Sequence, residues 1–121
     1  MSFADDKFRE ISLTFFRLDE QFRANPADVS SEDLKSLVAD VDAVLPGLSG
    51  ADLGKAKMVK AACLYDDFLK HTPMLYDPSW RPPAEALECA RSGRALLAKH
   101  QPGLVSWADS VLRLLEGFEK P

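Results

Sequence analysis

Phe8, Ile11, Phe15, Leu18 and Phe22 recur at intervals of three and four residues, which puts five large apolar side chains on one stripe of an α-helix. On a helix ~30 Å long, a stripe of that kind has to be covered. Phe15, near its middle, is expected to be the most enclosed of the five. The helix starts at Ser2, whose spacing to Asp5 is that of a capping box with aspartate in the glutamate position. It ends at Asn25-Pro26, because proline disfavours helical geometry in the residue before it.

The cover comes from further stripes of the same period. Ser30 and Asp33 repeat the capping spacing ahead of Leu34, Leu37, Val38, Val41, Val44 and Leu45, a second helix closed by Pro46-Gly47. Ser49 and Asp52 then cap a third, whose apolar positions (Leu53, Met58, Val59, Ala62, Tyr65, Phe68, Leu69) spread over more than one face, as in a central helix. From Thr72 to Pro83 the pattern stops at Pro73, Pro78, Pro82 and Pro83, which marks a loop. Pro83 suits the first turn of a fourth helix that runs through Ala86, Ala90, Gly93 and Leu97 to Gln101 and stops at Pro102-Gly103. Its small residues let it approach a neighbour closely, and such packing is the reason to keep a mid-helix glycine that costs about 1 kcal/mol relative to alanine. A fifth helix carries Leu104, Trp107, Ala108, Val111, Leu115 and Phe118 and is expected to finish near Glu119.

The short connections after the second and fourth helices make antiparallel hairpins of helices two and three and of four and five. The expected fold is all-α: a single domain over residues 1–121, a bundle of about five helices with a first helix followed by two hairpins. The hairpins could close as an irregular bundle or stack as a short helical-repeat-like array. Apolar residues at 46% and charged residues at 28% are ordinary for a globular chain and far from the composition of a disordered one.

Charge and composition then narrow the function classes. With 15 Lys plus Arg against 19 Asp plus Glu, the net charge of -4 creates no general field for a phosphate backbone, so nucleic acid is not the expected partner. Basic residues such as Arg9, Arg17, Lys35, Lys55, Lys57 and Lys60 are scattered singly. Met1 to Lys7 lacks the features of a signal peptide, and no run reaches the ~18 apolar residues of a membrane span, so a cytoplasmic protein without a membrane partner is expected. Cys63 and Cys89 are too few for a disulfide framework and read as reduced thiols among apolar neighbours.

Three groups of residues bear on chemistry. Cys63, Asp67 and His71 follow one another at intervals of four on one side of the third helix, each a possible metal ligand. Positions eight apart on a straight helix are ~12 Å from each other, too far to bind one ion together, so the reading adopted is a buried thiol below an Asp67-His71 pair, with no metal or other cofactor. Arg94 and His100 resemble, at two positions, the Arg and His signature of HEPN-type helical ribonucleases. That resemblance implies a pair, brought together by dimerisation, that positions a scissile phosphate and assists proton transfer. Ala95 stands where that family tends to have a polar residue. A solvent-facing Arg94 and a His100 complementing the helix dipole account for the same positions. No phosphate-binding glycine loop, nucleophile elbow or paired-cysteine zinc motif is present.

The third group is the loop Met74 to Pro83, where Tyr76, Trp80 and Arg81 are residues of the types enriched at binding hot spots. They either lid the bundle or meet a partner. Leu13, Phe16, Val105 and Leu112 lie off the main stripes and leave apolar surface for a groove or a second subunit. The expectation is a non-catalytic module that binds another protein or itself as an adaptor, chaperone-like or regulatory element, with contacts through Tyr76, Trp80, Arg81, Phe16 and Leu112. The alternatives are the ribonuclease reading and a bundle that holds a metal or small ligand.

Overall fold

The structure is a computed structural model that describes residues 3–71 and 81–118. Among them are five α-helices: α1 (Phe3–Ala24), α2 (Ser31–Val44), α3 (Gly50–Lys70), α4 (Ala84–His100) and α5 (Val105–Glu116). They form a single helical bundle domain. Short 3-10 turns at Pro26–Asp28, Leu45–Gly47 and Pro102–Leu104 follow α1, α2 and α4. Each contains a proline, which cannot donate to the preceding turn and so ends the helix there.

Most helix ends fall where the punctuation puts them. The capping box of α2 is complete: Asp33 N–H donates to Ser30 Oγ at 3.0 Å, and Ser30 N–H donates to Asp33 Oδ2 at 3.4 Å. At α3 the expected cap is not made. Ser49 gives no side-chain bond, since Gly50 takes a left-handed φ of +58° and turns the chain between hydroxyl and helix. Pro83 caps α4 from outside instead of sitting in its first turn. The fifth helix ends at Glu116, and Gly117 and Phe118 continue as a turn. Ser2, of the first capping box, lies outside the described residues.

Interhelix contacts set the directions. Lys60 on α3 meets Asp42 on α2 and Glu85 on α4, while Ser31 at the start of α2 meets Asp67 and His71 at the end of α3. Arg94 meets Asp109, and Arg91 meets Glu116, across α4 and α5. Both hairpins are therefore antiparallel, and α1, α3 and α5 run in one direction with α3 between the other two. The central place expected of the third helix is the one it occupies.

Two cores share α3. The first joins α1, α2 and α3 through Phe8, Ile11, Phe15, Leu18, Leu37, Val41, Val59 and Cys63. Ile11, at 2% exposure, is more enclosed than Phe15 at 4%, because Phe15 also borders a surface cavity. The second core joins α3, α4 and α5 through Met58, Ala61, Ala86, Ala90, Leu97, Ala108 and Leu115. Here α3 and α4 nearly touch: a Cβ added to Gly93 would lie 2.8 Å from Met58 Sδ and 2.9 Å from Gly54 O. That contact is the packing reason for the mid-helix glycine. Lys60, read from sequence as one of the scattered basic residues, is only 5% exposed and bridges α2, α3 and α4 through Asp42 and Glu85. Burial works against its charge, but the two carboxylates outweigh it and hold the ammonium above its ordinary pKa.

Candidate functional site

Helices α1 and α5 both pack on α3, and between them the surface of α3 floors a trough. Its walls follow from the spacing of aromatic residues. On α1, Phe15 turns inward to the first core, while Phe16, one residue and about 100° further round the helix, stands 65% exposed on the rim. On α5, Trp107 packs against both cores, and its ring lies 6.3 Å from that of Phe15. Phe15 and Trp107 line the trough on both sides of this contact.

On one side is a cavity of about 350 Å³ whose apolar wall is Phe8, Phe16, Val59 and Leu104, with Lys55 and Gln101 at its edge. On the other is a cavity of about 280 Å³ lined by Phe22, Tyr65 and Leu114 together with Asp19, Arg23 and Asp66. Leu114, 51% exposed, extends the apolar rim, whereas Leu13, 69% exposed, lines neither cavity.

Asp66 is the group most altered by its surroundings. Burial, then the nearby Asp19 carboxylate, push its pKa up to about 7, while Arg23 pulls the other way. Arg23 Nε is already engaged by Asp19 at 3.1 Å. In the sequence Asp66-Asp67 resembles a polar face, which hides Asp66. The readable signal was its register: it lies seven residues after Val59 and three after Cys63, both of the first core. Burial likewise raises the thiol of Cys63, with Asp66 and Asp19 adding to the effect, so Cys63 is an inert core group. Both cysteines are free.

The Cys63-Asp67-His71 series divides in the structure. Cys63 is in the core, whereas Ser31 Oγ donates to Asp67 Oδ1 and lies 3.2 Å from His71 Nε2, itself 3.4 Å from Asp67 Oδ1. Serine and aspartate thus meet the same ring nitrogen. A charge-relay triad needs the carboxylate on the other nitrogen, so the cluster ties the start of α2 to the end of α3. Lys70 Nζ reinforces the tie by donating to Pro26 O at 3.0 Å. Among the described residues no group of three or more His, Cys, Asp or Glu side chains is placed to hold a metal ion.

Arg94 Nε donates to Asp109 Oδ1 at 2.9 Å, and the ring of exposed His100 lies beside Gly50. Six residues along a helix turn the two about 120° apart, so they do not converge within one chain. Of the residues named for partner contact, Phe16 stands on the trough, and Arg81 is exposed beside a separate depression of about 430 Å³ with Leu87 and Phe118. Leu112 is half-buried against the second core and Val105 is also half-buried, so only Leu13 and Phe16 of the off-stripe residues stand in solvent. Tyr76 and Trp80 lie outside the described residues. No helix among the described residues is long and apolar enough to cross a membrane. No protein-family model matches the chain, and neither curated proteins nor solved structures include a match to it.

Proposed function

We propose that the protein is a non-catalytic interaction module that binds another protein through the trough between α1 and α5. The observation that carries this reading is the aromatic lining: Phe15 and Trp107 at its centre, with Phe16 65% exposed on its rim. Exposing a phenylalanine costs on the order of 1.5 to 3 kcal/mol relative to burying it, and a partner recovers that free energy. A trough between two parallel helices accepts the apolar face of a third. Tyr76, Trp80 and Arg81 belong to the same proposal as further partner contacts. A cytosolic setting suits Cys63 and Cys89, which stay as thiols there.

The test compares the wild-type chain with Phe16→Glu and Leu114→Glu, both at exposed positions that line the trough. A partner recovered from the source cells is purified and titrated calorimetrically against all three proteins. Binding to the wild type that weakens at least about tenfold in either variant supports the reading. Equal affinity for all three removes it.

A further inference from the structure

The trough is asymmetric in charge. Lys55 and Gln101 edge it toward the start of α1, and Asp19, Asp66 and Arg23 edge it toward the end. With Arg23 engaged by Asp19, the three groups at the acidic end sum to one negative charge when Asp66 is ionised. Asp66 sits among Phe22, Tyr65, Trp107 and Leu114, and no described residue donates a hydrogen bond to it. A half-buried carboxylate without a donor is costly, and its raised pKa is the same cost seen from the proton's side. A cation seated against Asp66 and Asp19 supplies the donor and lets the carboxylate ionise.

Resting on the reading of the trough as a protein-binding groove, we infer that its occupant is an amphipathic helix of another protein that sets a lysine or arginine against Asp66 and Asp19. Along α1 the trough runs from Phe8 to Phe22, a rise of ~21 Å, which matches about four turns of a bound helix. The apolar lining takes anchors at helical spacing, and the acidic end decides which sequences fit. A helix with an acidic residue at that place would meet a net negative charge and bind less well.

A displayed library of amphipathic helical peptides, randomised at the apolar-face positions, tests this. Peptides retained by the wild type and lost on Phe16→Glu should carry Lys or Arg at one terminal anchor, enriched about tenfold over the library. Panning on Asp66→Asn should abolish that enrichment, with Asp19→Asn as the second variant should Asp66→Asn impair folding. In calorimetry, replacing the basic residue of a selected peptide by norleucine should weaken binding to the wild type about tenfold and to Asp66→Asn by less than about twofold. Phe16-dependent peptides without a basic preference overturn the inference while the groove reading stands. Peptides indifferent to Phe16→Glu overturn both. A wild-type dimer that Phe16→Glu dissociates puts a second copy in the trough and overturns the inference as well.

Discussion

The two cores on either side of α3 are built from side chains of different size. Between α1, α2 and α3 the contacts are phenylalanine, leucine, isoleucine and valine, whereas between α3 and α4 they are mostly alanine and glycine around Met58 and Leu97. Small residues bring α4 against α3 until backbone nearly meets side chain, as at Gly54 and Gly93. Large ones hold α1 further out. With α1 and α5 each packed on α3, the surface between them stays open and aromatic. One side of the bundle is thus closed by close backbone approach, and the other is left open.

The largest effect that could break this comparison comes from Phe15→Ala, expected to lower unfolding free energy by about 3 to 5 kcal/mol, as for other buried phenylalanines. That is a large part of the 5 to 15 kcal/mol typical of a whole domain. Denaturant unfolding measures it. A loss below about 1 kcal/mol would make α1 a detachable arm, and the large-residue core would no longer count as core.

Gly93→Ala probes the opposite core. The added Cβ meets Gly54 O at 2.9 Å, a backbone atom that cannot step aside as Met58 can. Overpacking of about 1 to 3 kcal/mol, less a helix-propensity gain of about 1, leaves an expected destabilisation of about 0 to 2 kcal/mol. Alanine that stabilises in thermal melts would mean that the two helices stand further apart than a 2.9 Å approach to Gly54 O requires.

How far these features were readable in advance follows the same division. The stripes of α1 and α2, and the small residues of α4, announce themselves by period, because each helix buries one face and the sequence records which. Gly93 could be marked as a close contact, though not its opposite partner Gly54, since contacts between helices leave no local pattern. The surroundings of Lys60 and Asp66 leave no local sign for a related reason. Burial of Lys60 depends on carboxylates 18 and 25 residues away, and the altered carboxyl of Asp66 depends on burial between helices and then on Asp19 of another helix. The failed cap at Ser49 depends on one backbone angle. Phe16 was readable as a residue off the stripe, but that α1 and α5 leave a trough beside it was not.

Asp66 offers a smaller and pH-dependent effect. Its pKa is raised in the fold from an ordinary 3.8 to about 7, so the native state binds a proton more tightly than the unfolded chain between those values. Stability should therefore fall as pH rises from about 4 to about 7 and level off above. Asp19, Arg23, Cys63 and Tyr65 surround the group and remain in Asp66→Asn, which should lose that slope. At pH 8 the variant should be more stable by on the order of 1 kcal/mol, allowing for solvent screening of a partly exposed site. Parallel urea titrations at pH 5 and pH 8 measure both slopes. An unchanged slope would mean that Asp66 is already well solvated, and the acidic end of the trough would lose its special character.

The smallest expected change is at Phe16, and it isolates the open side of the comparison. Phe15 and Phe16 are chain neighbours with ring centroids 5.8 Å apart, yet one is 4% exposed and the other 65%. Truncating Phe16 removes little surface that folding had hidden, so Phe16→Ala should shift stability by less than about 0.5 kcal/mol, within the usual range for surface positions. If it costs 2 kcal/mol or about that, the ring must pack in solution against something the isolated fold does not supply, such as a second copy. Repeating the unfolding at several protein concentrations separates the cases: a cost that grows with concentration belongs to association, and one that does not belongs to the fold. Only a small, concentration-independent value keeps Phe16 as a free aromatic on the rim, available to the partner on which the functional reading rests.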